Sequence, residues 1–291
     1  MPAFTDRYWN SPDGLRLHYR DYAGPHERPP ILCIPGLTRN ARDFEPVADR
    51  FAGEWRVIAV DLRGRGLSES DPDPLHYVPQ VYAGDLVKLI DQLGIADAVF
   101  VGTSLGGIVT MVTAMQDAER IAGALLNDVG PRVEPAGLAR IGSYVGKPAA
   151  FASWDELARS LAERSSDAFP DWTVAQWDRF ARRTAIERGG SIGFDYDRNI
   201  AQLFQAATDQ PPAEAWPYYQ ALAGRPVTVL RGELSDLFSA ATAERMQREI
   251  PDVELVTIPR VGHAPSLDEP ESLAAIERLL DRVLARPALT A

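Results

Sequence analysis

One cysteine and four histidines among 291 residues leave little room for several kinds of chemistry. The lone thiol, Cys33, cannot close an internal disulfide, and within Ile31-Leu32-Cys33-Ile34 it reads as a small buried hydrophobe. With one thiol and no His-Glu-x-x-His spacing, a zinc site has no support, and no Gly-x-x-x-x-Gly-Lys run offers a cradle for nucleotide phosphates. No cofactor or metal is implied. Basic residues are outnumbered 30 to 41 by acidic ones, and the formal charge of −11 gives a surface that repels nucleic-acid backbones and anionic lipid headgroups. No stretch approaches the ~20 apolar residues that a bilayer requires. The start, Met1-Pro2-Ala3-Phe4, lacks the basic-then-apolar order of an export signal. A reduced, cytoplasmic protein without nucleic-acid or membrane partners is expected. Internal repeats and low-complexity tracts are also missing.

What is present is a chain of the size of one compact α/β unit, 45% apolar, with 22 glycines and 23 prolines to punctuate many short elements. Leu15, Leu17 and Tyr19 alternate with polar residues after an Asn10-Ser11-Pro12-Asp13-Gly14 turn, which predicts an edge hairpin and an antiparallel start to a sheet. Short apolar runs at Ile31–Ile34, Val57–Val60, Ala98–Val101 and Ala124–Leu126 suit strands buried on both faces. A helix is expected over Val81–Leu93, stopped by Gly94. The alternation of strand and helix implies a parallel sheet. It breaks at Pro131 and resumes near Val227–Leu230, and the segment between, helical in pattern, holds Trp154, Trp172, Trp177 and Trp216. An inserted helical cap over residues 131–222 follows, with the core formed by 1–130 and 223–291. Strand Val253–Ile258 and helix Glu271–Leu284 close the chain.

The most specific chemistry lies in Gly102-Thr103-Ser104-Leu105-Gly106-Gly107, between the strand Ala98–Val101 and a helical stretch through Ile108, Val109 and Val112. A serine pushed out of a tight strand-to-helix turn is strained, and glycines two positions either side remove side chains that would collide. The helix directs free amides and its positive end at the same point, so the Leu105 amide is a candidate oxyanion donor. The Leu37 amide, in Ile34-Pro35-Gly36-Leu37-Thr38 after another strand, is the second. A serine needs a base. His18 falls in the hairpin, while His26 and His76 sit in proline-rich stretches; His263 follows the strand Val253–Ile258 directly, at the sheet edge where ligands bind. Three acids compete to orient it. Asp236, in Arg231-Gly232-Glu233-Leu234-Ser235-Asp236, has the expected Ser, Asp, His order and is preferred; Glu233 in the same loop and Asp128 after Asn127 are rivals.

With these parts in place the chain resembles the α/β-hydrolase superfamily, from Tyr8 to the last helix. The resemblance implies a mostly parallel eight-stranded sheet flanked by helices, with a helical cap after the sixth strand as in esterases, enol-lactonases and prolyl aminopeptidase-like enzymes. Asp61-Leu62-Arg63-Gly64-Arg65-Gly66 looks like the family's segment after its fourth strand, where Asp61 and Arg63 would be a structural pair. Many members carry His-Gly ahead of the oxyanion residue; this chain has Pro35-Gly36, which leaves the Leu37 donor in place. Haloalkane dehalogenases and epoxide hydrolases carry aspartate at the elbow, and Ser104 argues against both. The implied activity is a serine esterase with Ser104 as nucleophile, acting on a small, fairly apolar ester or lactone, as a monomer or homodimer. Phe151, Trp154, Trp172 and Trp177 are candidates to line its pocket. A C–C bond hydrolase for vinylogous or β-diketone substrates, or a slow-turnover ligand receptor, are the alternatives.

Overall fold

The run Ile121–Asn127, apolar up to its last residue, can be buried throughout only if both faces of the sheet are covered, and the computed structural model, which describes residues 2–202 and 214–285, shows that arrangement. Eight strands form one sheet: β1 (Phe4–Asn10), β2 (Arg16–Tyr22), β3 (Ile31–Ile34), β4 (Val57–Asp61), β5 (Ala98–Thr103), β6 (Ile121–Asn127), β9 (Val227–Gly232) and β10 (Glu254–Ile258). Their spatial order is β1-β2-β4-β3-β5-β6-β9-β10. The first hairpin is antiparallel, and so is its junction of β2 with β4; every later pairing is parallel.

Alternation along the strands sends successive side chains to opposite faces. Leu32 and Ile34 of β3, Ile58 and Val60 of β4 and Phe100 of β5 pack toward α2 (Pro79–Gln92) and α3 (Leu105–Asp117). Ile31, Cys33, Val57, Ala59 and Val101 pack on the other face, toward α1 (Glu45–Phe51) and α9 (Pro270–Leu284). Helix α2 presents Tyr82, Leu86, Leu89 and Ile90 on one stripe, a three- and four-residue spacing that places each against the sheet; burial of such a side chain contributes about 1.5–3 kcal/mol. It begins with Pro79 at its first position, two residues before the expected start, and ends at Gly94, whose φ of +64° suits a residue without a Cβ.

The cap inserted between β6 and β9 holds α4 (Pro135–Gly142), α5 (Trp154–Ser165), α6 (Val174–Thr184) and the short α7 (Trp216–Gln220). Residues 203–213 of the expected cap lie outside the described residues. The cap is not purely helical, because β7 (Ala185–Arg188) and β8 (Ser191–Phe194) form an antiparallel hairpin. Its two-residue turn is Gly189-Gly190, both with positive φ, as the tightest hairpin turns require. Helix α8 (Ala240–Glu249) follows β9.

Asp61 and Arg63 are buried as expected but do not pair with each other. Asp61 accepts from the Ala41 and Leu67 amides and meets His18 Nδ1 at 2.7 Å, tying the hairpin to two loops. Arg63 instead binds Asp85 with two hydrogen bonds of 2.8 and 2.6 Å, and also reaches Asp13 and Asp71. Each is thus satisfied by its own set of partners.

Candidate active site

Ser104 caps α3 with φ +53° and ψ −114°, a strained conformation that lifts its hydroxyl out of the turn. The sequence allows this because both flanking glycines are sterically obligatory: a Cβ on Gly102 would overlap the Gly106 carbonyl, and one on Gly106 would overlap the Ile34 carbonyl. The Ser104 amide is anchored on the Asn127 carbonyl at 2.9 Å, which fixes the turn against the end of β6.

Across the sheet edge, His263 Nε2 lies 2.9 Å from Ser104 Oγ, and the imidazole side chain is only 9% exposed. The carboxylate at its other nitrogen is that of Asp128, with Oδ2 2.7 Å from His263 Nδ1. An ionised carboxylate only accepts, so the proton sits on Nδ1 and Nε2 is left as the acceptor for the serine hydroxyl.

The preferred acid, Asp236, does not face the imidazole. Its two oxygens are held by Arg140 of α4 at 2.5 and 2.7 Å, and that guanidinium holds its carboxyl below the usual carboxylate range. The cause of the exchange is local backbone geometry. Asp128 leaves β6 with φ +54°, a left-handed turn that folds its side chain back over the sheet edge, whereas the loop after β9 turns Asp236 outward to the cap. Glu233 points elsewhere, accepting from the Arg260 amide at 2.8 Å. Asp128 is fully buried and receives two further hydrogen bonds, from the Gly232 amide at 2.8 Å and from Ser235 Oγ at 2.6 Å. Ser235 escaped the sequence reading; its place one residue before the favoured Asp236 carried no signal of its own.

Two backbone amides complete the arrangement. Those of Leu37 and Leu105 donate to no acceptor among the described residues, and their residues flank Ser104. Leu37 lines the cavity above the serine, and its carbonyl is held by Arg65 Nε at 2.9 Å, which steadies the turn. The other histidines are committed elsewhere or distant: His18 to Asp61 and Asp6, His76 to Asp71, and His26 in a surface loop. Asp13, Asp71 and His76 bring potential metal-ligating atoms within 4.8 Å of one another, but both carboxylates already serve Arg63.

Ser104 and His263 open onto a cavity of about 440 Å³ roofed by the cap, a volume suited to a small organic ligand. Of the four aromatics expected to line it, only Trp172 does so. Trp177 packs inside the cap, 4.7 Å from Trp172; Trp154 lies beneath Arg182; Phe151 extends the β7–β8 hairpin through backbone bonds to Ile192. The lining aromatics missed in the sequence are Phe169, stacked on Trp172 at 4.2 Å, together with Phe44, Phe180, Phe194, Tyr144 and Tyr196. A hydrogen bond of 2.6 Å from the Gly262 amide to the Ala168 carbonyl ties the loop carrying His263 to the cap.

A doubly wound sheet with a serine on a strained strand-to-helix turn, an imidazole beside it and a roofed cavity define a class of hydrolase, and the comparisons agree. Residues 31–276 match the alpha/beta hydrolase family, and the chain belongs to that family. A crystal structure of an alpha/beta hydrolase from Novosphingobium aromaticivorans superposes with a TM-score of 0.92 at 54% identity, over 97% of this chain and 99% of the other. A 3-hydroxybutyrate-oligomer hydrolase of Cupriavidus necator is 35% identical over 273 residues, 91% of this chain and 92% of its own length. A 2-(acetamidomethylene)succinate hydrolase of Mesorhizobium japonicum is 29% identical over 260 residues, 87% and 88% of the two chains. Fold and relatives together mark the chain as a hydrolase of small organic substrates. No helix among the described residues is long and apolar enough to cross a membrane.

Proposed function

We propose that this chain is a serine hydrolase that cleaves a small carboxylic ester through an acyl-enzyme on Ser104. The observation that carries the reading is the continuous hydrogen-bonded line from Ser104 Oγ through His263 to Asp128, at 2.9 and 2.7 Å, opening onto a roofed cavity. His263 Nε2 takes the serine proton as Oγ bonds to the acyl carbon; the carbonyl electrons move onto oxygen, where the Leu37 and Leu105 amides receive them. The imidazolium, steadied by Asp128, then protonates the departing alkoxide. Water, deprotonated by the same imidazole, attacks the acyl-enzyme, and collapse of the second tetrahedral adduct frees the acid and returns Ser104. The aromatic lining favours an apolar acyl or alcohol portion, and the hydroxy-acid oligomer in the name of the Cupriavidus relative is joined through ester bonds of this kind.

The test is covalent. A fluorophosphonate probe should label the wild type and leave Ser104→Ala unlabelled, with ester turnover falling by about 10⁴-fold or more in the variant. Equal labelling of both proteins would remove Ser104 from the reaction.

A further inference from the structure

The cavity is more cationic than an apolar ester requires. Four arginines line it, Arg39, Arg140, Arg164 and Arg183, in a chain whose formal charge is −11. Three are answered by carboxylates: Arg39 by Asp43 at 2.7 Å, Arg140 by Asp236, and Arg183 by Glu45 at 3.4 Å. Arg164, in the last turn of α5, has no carboxylate partner among the described residues; its Nε donates to the Ser160 carbonyl at 3.1 Å, and its guanidinium lies 6.0 Å over the Phe194 ring. Phe194 stacks in turn near Tyr196, with centroids 6.3 Å apart. The Tyr196 hydroxyl accepts from the Gly146 amide at 3.1 Å and donates its own proton to no acceptor among the described residues. The cavity lining therefore includes a guanidinium without a carboxylate partner and a hydroxyl proton without an acceptor among the described residues, both near the Phe194 ring, while Ser104 borders the same space from the sheet.

We propose that Arg164, with Tyr196, receives a free carboxylate at one end of the substrate, so that the enzyme selects esters of hydroxy acids that retain a terminal carboxylate. This rests on the serine-hydrolase reading for the bond that is cleaved, but names the part of the substrate that reading leaves open. A guanidinium on carboxylate is a charge-assisted pair with geometric selectivity, and a phenol proton adds a second donor. Arg164 is exposed at the cavity wall, so its guanidinium is free to meet an incoming carboxylate, and the aromatic lining accommodates the alkyl links between ester and acid. The oligomer in the name of the Cupriavidus relative has such an end, which the sequence-based expectation of an apolar ester did not include.

The experiment compares 3-acetoxybutyrate with its neutral isostere 3-acetoxybutyramide, following acetate release. The wild type should favour the acid in kcat/KM by about tenfold or more, the scale of one hydrogen bond between charged partners. Arg164→Gln should reduce that ratio about tenfold, Arg164→Lys should retain most of it, and Arg159→Gln, on the same helix but outside the cavity lining, should leave it unaltered. A wild-type ratio near one, or a ratio that Arg164→Gln does not change, overturns the assignment. Calorimetric binding of both probes to Ser104→Ala needs no chemistry: the acid should bind about tenfold more tightly, and the difference should vanish on adding Arg164→Gln. Failure to discriminate there sinks the carboxylate site alone, whereas acetate release that survives Ser104→Ala sinks the serine reading alone.

Discussion

Replacing Asp128 by Asn keeps the size of the side chain while removing its charge and exchanging one acceptor oxygen for an NH2 donor, which makes it the sharpest probe of the proton relay. In the wild type the Asp128 carboxylate accepts three hydrogen bonds, from His263 Nδ1, Ser235 Oγ and the Gly232 amide, without exposure to solvent. An Asn amide has one acceptor oxygen. If that oxygen keeps the Gly232 amide, its NH2 faces Nδ1, which must then accept, and the imidazole proton moves to Nε2. A protonated Nε2 cannot take the proton of Ser104, so turnover at neutral pH should fall by about 10⁴-fold, or about 5.5 kcal/mol at 1.36 kcal/mol per decade. Asp236→Asn should behave differently. Its pair with Arg140 is about one-third exposed on both sides, so solvent screens it; stability should change by under ~1 kcal/mol and turnover by no more than a few-fold. Steady-state ester hydrolysis, with thermal melts to confirm folding, separates the two. If Asp236→Asn loses as much as Asp128→Asn, or if Asp128→Asn stays within tenfold of wild type, the assignment of the acid is wrong.

Two further outcomes follow from packing and charge. Gly106→Ala should destabilise the fold by more than about 2 kcal/mol, because its Cβ would overlap the Ile34 carbonyl and the turn cannot open without moving Ser104; chemical denaturation measures this, and a neutral result would refute the steric account of the turn. Hydrogen bonding to Arg63 lowers the Asp13 carboxyl to about 2 from its ordinary 3.8, so its contribution to stability is complete above pH ~4 and is lost as pH falls toward 2. Asp13→Asn should flatten the acid side of the stability profile between those values, and an unchanged profile would show that other groups govern it.

The meeting of Ser104 with His263 was readable because each stands at a strand's C-terminal end with its own local pattern: glycines at fixed offsets for the serine, and position directly after the last strand for the histidine. Which carboxylate meets the imidazole was not. Asp128 and Asp236 each follow a strand, at the ends of the adjacent β6 and β9, and the choice between them turns on a left-handed φ at one residue, which Asp tolerates without advertising it in sequence. The cap was legible as an interruption in the strand-helix rhythm but not in detail. Strands of four residues are too short for periodicity to register, and only Gly189-Gly190 hinted at the hairpin. Its tryptophans gave no reliable guide to the cavity, since the same helical spacing serves packing within the cap and lining of the space beneath it.

An acid seated at the tip of β6 has a consequence for anyone wishing to re-engineer specificity by transplanting caps between relatives. The chain passes from Asp128 to Gly130, where any side chain would strike Met246 Sδ and Phe238 at 2.7 Å, and enters the roof immediately afterwards. The splice point for a chimera therefore falls beyond residue 130, because a cut placed at the strand end would carry away the carboxylate with the graft.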